Sequence, residues 1–391
     1  VKRYLYRVRS GGTLLGTWGG DSGALVSVAS DPAFSKEVDS GLGPLSISLN
    51  VPFDYAGSDL ANGNTVETYC VRDTGTVLIH AGVIETIDRS ITAAGDQVIV
   101  TVSPYVKQLS DDYFRDSNAF GADIAKTWSS TEIATILKYI LDRAKLSAGA
   151  FGNVHYTASS VLTTGKTISI QVGSETYLDA IRRIKGLGPG DWYWYVDAAG
   201  VFSYRNFDSG TKHLFTLGRD LVSLHETESI VDLKNTVYFW NKSDADGLVI
   251  ALERPLSTTT SQSTYGRRTQ IVTDSHIDDS ATAVSIAERY IQEHNTPIQT
   301  YEVDILDAST DARGYDIETI QPGDTCELRN IPSLSGTTFS ITRVEYKPDG
   351  VHLTLGIGPV RRSFRLGMTL EQIADYMRVV TDGALPTVPI E

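Results

Sequence analysis

The chemistry open to this chain can be read first from a handful of short strings. In GDSGAL (Gly20 to Leu25) a serine sits among glycines, as around a peptidase nucleophile, but no histidine precedes Ser22, and the string reads as a loop. NKSDADGLV brings Asp244 and Asp246 up to Gly247, as at the start of an oxygen-ligand calcium loop. The downstream Glu253 comes too soon to close such a loop and lies in an apolar strand pattern, so an Asp-Gly turn is expected there. GLGPGDW (Gly186 to Trp192) has the glycines of a phosphate cradle without its Gly-Lys-Ser/Thr ending. The histidines, His80, His155, His213, His225, His276, His294 and His352, form no HxH, HExxH or His-Cys pair, and are expected at the surface or hydrogen-bonded in the core. With 48 Asp and Glu, spacing says nothing of a glycosidase pair, because the two acids meet in space. No residue is assigned as catalytic, as cofactor-binding or as a metal ligand, and no cofactor is expected.

The aromatic string Trp192-Tyr193-Trp194-Tyr195 has two readings. Such platforms bind sugars and stack bases. In a strand, however, Trp192 and Trp194 point one way and Tyr193 and Tyr195 the other. One face then packs on a helix bearing Leu178, Ile181 and Ile184, and core packing is the reading adopted. Exposed tyrosines would instead suggest a glycan or partner contact.

These strings are positioned by elements of alternating texture. Residues 1–108 read as short strands between turns: Leu45, Ile47, Leu49 and Val51 share one face of LSISLNVPF, and QVIVTVSPYV alternates in the same way. Lys2, Arg3, Arg7 and Arg9 read as the solvated charges of an edge strand. Residues 109–217 form an α+β insert. There Ser129 and Glu132 suggest a capping box before a stripe of Ile133, Ile136, Leu137, Ile140, Leu141 and Ala144. TISIQV follows, then a helix from Ser174 stopped by Gly186 and Pro189, then two strands about Asp197 to Gly200. Residues 218–360 return to strands, with a polar loop between Thr258 and Gly266 and one helix at about 279–294. Residues 361–391 hold a helix capped by Thr369 and Gln372, with Leu370, Ile373, Met377 and Val380 on one face; Arg361, Arg362 and Arg365 precede it as solvated charges.

Composition narrows the function classes. The chain is 41% hydrophobic and 21% charged, an ordinary folded composition, and its 391 residues exceed what one core usually serves. The formal charge of −14 repels nucleic acid at long range. DNA as a tight partner is disfavoured, while DNA in passage is not. Cys70 and Cys326 share no CxxC spacing and read as two separate buried thiols in strands. No apolar run reaches membrane-spanning length, and the N-terminal apolar stretch is too short for a signal peptide.

Two segments rhyme. NGNTVETYCV with GVIETIDRSITAAGDQVIVTVSP matches QPGDTCELRN with FSITRVEYKPDGVHLTLGIGP. Each has a tight glycine turn (Gly63-Asn64, Gly323-Asp324) entering a strand. Each continues with a strand bearing a spaced aliphatic pair (Ile84 and Ile87; Ile341 and Val344), then a glycine turn (Gly95, Gly350) and an alternating strand. One module used twice is the expectation.

In this order, and together with ETYLDAIRRI and WYWYVDAAGVFSY, these motifs resemble the tail-tip and baseplate hub proteins of tailed bacteriophages, the minor tail proteins related to the trimeric baseplate hub of contractile-tailed phages. The resemblance runs to about residue 360; the C-terminal helix and tail match nothing in it. It implies a mainly β, α+β fold of two tube-like antiparallel β-barrel domains (1–108 and 218–360), a small α+β insert (109–217) and a C-terminal helix and tail (361–391). It also implies a homotrimer whose six similar barrels adapt a sixfold tail tube to a threefold tip while DNA passes. The implied partners are a distal tail protein or tail tube ring, tip, spike or fibre proteins, and a tape-measure protein, within a virion assembled in the host cytoplasm. Two other classes compete: a tail-associated cell-wall hydrolase, for which no further domain remains, and a receptor-binding module using the WYWY strand or the Thr258–Gly266 loop.

Overall fold

The computed structural model describes residues 2–19, 26–73, 75–92, 95–116, 125–148, 152–173, 175–242, 249–254, 259–273, 290–291, 294–307 and 316–357. The GDSGAL string, Ser174, the Asp244 to Gly247 turn, His276, most of the 279–294 helix, and everything from 358 on, including the helix at Thr369, lie outside the described residues. The described chain is mainly β with few helices. It divides into two compact units, one formed by Val1–His225 with Glu302–Val360, the other including Glu226–Tyr301.

The first unit begins with a seven-stranded sheet. Its strands come from β1 (Arg3–Ser10), β2 (Thr13–Trp18), β3 (Ser27–Val28), β6 (Leu45–Asn50), β7 (Thr65–Arg72), β8 (Gly75–Thr92) and β9 (Gly95–Pro104). The short β4 (Phe34–Glu37) and β5 (Gly41–Leu42) leave this sheet. The order β2-β1-β7-β8-β9-β6-β3 curls on itself: a bridge between Trp18 and Val26 joins β2 to the residue before β3. The alternation read in LSISLN is the reason β6 sits where it does. Leu45, Ile47 and Leu49 are buried opposite Val102, Val100 and Val98 of β9, and the serines between them face outward. The basic strand is not an edge: β1 lies between β2 and β7. Arg9 pairs with Glu67 at 3.1 Å and Arg7 lies over the Tyr69 ring.

The insert carries β10 (Lys126–Glu132), α1 (Ile133–Ala148), β11 (Thr167–Val172), α2 (Tyr177–Gly186), β12 (Trp192–Val196) and β13 (Phe202–Asn206). The apolar stripe of α1 is buried as its spacing predicts, from Ile133 to Leu141. The helix starts later than a Ser129 cap would have it. Ser129 and Ser130 belong to β10, Ser130 has φ 45°, and Glu132 supplies the cap by accepting the Thr135 N–H at 3.2 Å. The other oxygen of Glu132 accepts from Thr164 N–H and hydroxyl. In α2 the cap is Thr176, which accepts the Asp179 N–H at 3.1 Å. Ile181 and Ile184 are fully buried, and Leu178 lies at the margin of the same core.

Beyond the insert come β14 (Lys212–Thr216) and β15 (Leu221–Ser229). The second unit follows with β16 (Thr236–Lys242), β17 (Val249–Arg254), α3 (Thr259–Tyr265) and β18 (Thr269–Thr273). The first unit then resumes through β19 (Ile298–Leu306), β20 (Thr325–Arg329), β21 (Thr338–Lys347) and β22 (Gly350–Ile357). The large second sheet runs β14-β20-β21-β22-β19-β15, with β14 parallel to β20 and β20, β21 and β22 successively antiparallel. The second unit holds a three-stranded sheet, β17-β16-β18. The loop expected between Thr258 and Gly266 is the helix α3 instead. Its hydroxyls bond locally, Ser263 and Thr264 each donating to Thr260 O at 2.9 Å. Tertiary bonds hold it as well: Ser261 donates to Asn295 O, and Gln262 to Asn235 O and the Thr236 hydroxyl.

Candidate functional site

The feature singled out in the sequence, the duplicated turn and hairpin, is repeated in three dimensions bond for bond. Gly63 and Gly323 sit in left-handed turns at φ 87° and 89°. Gly63 N–H donates to Ile84 O at 2.9 Å and Ile84 N–H to Asn64 O at 2.8 Å. In the second copy Gly323 N–H donates to Ile341 O at 2.7 Å and Ile341 N–H to Asp324 O at 2.8 Å. The next strand bulges at the same place in both, between Ile84 and Thr86 on β8 and between Ile341 and Arg343 on β21. The strand neighbours also correspond, β7-β8-β9-β6-β3 matching β20-β21-β22-β19-β15. The two cysteines are not equivalent within the repeat: Cys326 lies opposite Phe339 where Val66 lies opposite Gly82. Both are free and buried, as expected.

The β4 segment ties the first sheet to the second. It pairs antiparallel with β21, setting Lys36 against Val344 and Phe34 against Tyr346. Phe34 stacks on Tyr346 at 5.1 Å and meets His80 edge-on. Just beyond, Asp39 takes φ 58° and exchanges bonds with β12: its N–H donates to Trp194 O at 2.8 Å, and its carboxylate accepts the Trp194 N–H at 3.1 Å. The same carboxylate pairs with Lys185 of α2 at 2.8 Å. One segment therefore fastens the first sheet, the insert and the second sheet together.

Lys36 is the unusual residue of that segment, because it is 2% exposed and, among the described residues, has only Ile320 O at 3.3 Å and Gln321 Oε1 at 3.5 Å as hydrogen-bond partners. Burial pushes its ammonium down to about 8, against the pull of Glu318, Asp324 and Asp197. The unfolded chain then holds the proton more tightly, so stability climbs with pH between about 8 and 10.5, and below 8 the whole cost is present. Lys36→Met is expected to raise the thermal midpoint at pH 7, with a gain that shrinks as pH climbs through this window. Melts of both proteins at pH 7 and pH 10 read it directly.

A buried ionic cluster lies between the two sheets. Lys2 reaches Asp307 at 2.8 Å, Glu318 at 3.0 Å and Pro348 O at 2.7 Å. Arg72 joins the same two acids. Tyr346 donates to Glu318 at 2.6 Å, and its hydroxyl lies 3.1 Å from that of Tyr4. Burial works against the charge of Glu318, but hydrogen bonds from Asp316, Tyr346 and Lys2 prevail and hold it well below the usual carboxylate range. The neighbouring Asp316 is pushed up to about 6, first by its hydrogen bond to Glu318 and then by burial. The two carboxyls titrate as a pair, and below about 6 the one proton they hold rests on Asp316. Lys2, read from the sequence as solvated, is a partly buried partner here.

The remaining sequence candidates fall into structural places. Trp192 and Trp194 face the helices α1 and α2, while Tyr193 and Tyr195 pack with Phe207 and Val38, and all four are buried. The alternation of faces holds, and neither face is open for stacking on a ligand. Tyr193 covers the Gly323 turn, and Asp324 anchors that turn by accepting from Thr211 and Gln321 N–H and bonding His213 at 2.9 Å. His80 is bonded to Gly43 O, and burial pushes it down to about 4. His155, His294 and His352 have hydrogen-bond partners too, and His225 lies 3.8 Å from Glu302. Among the described residues no group of three or more His, Cys, Asp or Glu is placed to hold a metal, and no helix is long and apolar enough to cross a membrane. What sequence reasoning missed was β4 itself and the Glu318 cluster. Their one-letter signals are four residues of weak alternation and scattered charges more than 300 positions apart.

No family model matches the sequence, and no curated protein matches it. The fold is nevertheless shared with solved tail proteins. The 43 kDa tail protein of prophage MuSo2 from Shewanella oneidensis is similar at a TM-score of 0.59 and 12% identity, over 92% of this chain and 99% of that one. A tail protein from Neisseria meningitidis MC58 gives 0.56 and 12%, over 91% and 97%. A chain of the lidded Francisella PdpA-VgrG complex gives 0.52 and 9%, over 91% of this chain and 53% of that one. This chain has the fold of phage tail proteins.

Proposed function

We propose that this protein is a structural hub subunit of a phage tail tip or baseplate, in which three copies form a ring of six similar barrels. The observation that carries the reading is the duplication, in which the same turn bonds, bulge and strand order recur twice in one chain. A threefold ring of such chains presents six like surfaces, which is what docking on a sixfold tube demands. In this reading 1–108 and 218–360 are the two tube-like barrel domains, 109–217 the insert between them, and 361–391 a C-terminal appendage. The ring sits in the virion at the tail tip. Its partners are a distal tail protein or tube ring on one side, tip, spike or fibre proteins on the other, and a tape-measure protein within.

The net charge of −14 per chain favours a channel along which DNA slides without sticking. The role is structural, not enzymatic, in keeping with the tail proteins whose fold it shares. Light scattering after gel filtration, with class averages from negative stain, tests the proposal. A threefold ring with pseudo-sixfold lobes is expected, and a chain that stays monomeric at tens of micromolar would sink it.

A further inference from the structure

The two repeated hairpins differ in what lies along one side of them. On β21 the side beyond Ile341 is taken by β4, which pairs from Arg343 to Tyr346. On β8 the strand on that side is β7, whose last partner is Val83, followed by the Gly63-Asn64 turn at Ile84. From Glu85 to Thr92, β8 has β9 on its other side, and among the described residues no strand on this one. Aligning Ile84 with Ile341 makes Ile87 the counterpart of Val344, and Arg89 that of Tyr346. Val344 and Tyr346 are 0% and 1% exposed under β4, whereas Ile87 is half-exposed and Arg89 exposed.

The backbone follows the same logic. Val38 N–H donates to Thr342 O at 3.0 Å in the β4 register, so Val344 and Tyr346, two and four residues on, also turn their N–H and C=O toward β4. Ile87 and Arg89 by the same alternation present theirs to an open edge. At its far end Ile91 is 66% exposed opposite Asp96, whose carboxylate accepts the N–H of Phe53, itself 41% exposed. The edge thus combines a row of backbone groups open to pairing with an exposed isoleucine at one end, the features used in strand addition.

We propose that this edge, Glu85 to Ile91, is filled by a strand from a second copy of this chain. Strand order names the donor. β4 lies in the chain between β3 and β6; their counterparts in the second sheet are β15 and β19, and the segment between those two carries β16, β17 and β18. Within that segment β17 and β18 are the outer strands of their sheet, each paired on one side. Each first sheet lends β4 to its own second sheet, and each second sheet lends the matching segment to the first sheet of the next copy. Such a head-to-tail contact is of the kind that closes into a ring, of three copies in the reading above. The inference rests on the ring reading above and adds the contact that joins one copy to the next.

Arg89→Pro tests it in the full chain. The substitution removes an N–H that faces the open edge and leaves the ladder to β9, and among the described residues the Arg89 side chain bonds Tyr55 O, at 3.4 Å. Expected are a trimer for the wild type and loss of the trimer for the variant, with the circular dichroism of the folded protein kept. A folded variant that remains trimeric overturns the edge contact and leaves the ring reading standing. A monomeric wild type overturns both. Should the variant fail to fold, amide exchange in the wild-type trimer decides: slow exchange at Ile87 and Arg89 supports the contact, and exchange as fast as at a solvent-facing edge overturns it.

Discussion

Glu318→Ala is expected to lower stability by about 3–5 kcal/mol, the usual consequence of removing one partner from a buried ion cluster. The side chain is fully buried, and its loss leaves Lys2 and Arg72 sharing Asp307, with the Tyr346 hydroxyl deprived of its acceptor. Urea titration of wild type and variant at pH 7 measures the difference, and a change under 1 kcal/mol would show the cluster to be dispensable. The pH dependence carries a second signature. Glu318, held below its ordinary 4.5, contributes stability that is complete above that value and is lost as pH falls below it. Asp316, raised to about 6, has the opposite sign: its contribution is present below 3.8 and fades as pH rises through 6. In the alanine variant the Glu318 dependence should vanish with the group, and the Asp316 one should shrink to what burial alone causes.

Gly323→Ala should be at least as damaging, and Gly63→Ala much less so, although the two glycines hold equivalent turns. Either alanine meets the left-handed backbone, at roughly 1–2 kcal/mol. At Gly63 nothing lies within 4 Å of the added carbon. At Gly323 that carbon would run into Cζ of Tyr193, a ring packed against Phe207 with its centroid 4.7 Å away. Moving a buried aromatic out of its seat costs about 3–5 kcal/mol. In a Tyr193→Ala background the two glycine substitutions should converge, since the ring alone distinguishes them. Chemical denaturation of the three single and two double variants supplies the two cycles. Equal penalties at the two glycines with Tyr193 present would rule out this account.

Why some of this was legible and some not follows from how far each signal reaches along the chain. Gly63 and Gly323, Ile84 and Ile341, and the alternation in LSISLN are local demands of turns and one-sided strands, so the repeat and much of the β order could be read directly. The faces of Trp192 to Tyr195 were legible for the same reason. Helix starts were less so: Ser129 looks like a cap, yet it sits in an irregularity of β10 between Trp128 and Thr131, which pair with β11, and the role passes to Glu132. α3 has a loop-like composition, and contacts to Asn235 and Asn295 override it. Lys2 and Lys36 look like ordinary surface charges, and only the arrival of residues 307 to 321 buries them.

That arrival has a consequence in time. A ribosome adding about 5–20 residues per second needs on the order of 15–60 s to make the stretch of some 300 residues separating Lys2 from Asp307 and Phe34 from Tyr346. Through that interval β4 has emerged without its partner strand, and Lys2 and Arg72 without their acids. The opening third of the polypeptide must wait, incomplete, for the closing one. A chain released early would therefore leave β4 unpaired and Lys2 and Arg72 without their acids, as well as lacking the second sheet, so synthesis itself discriminates against truncated chains.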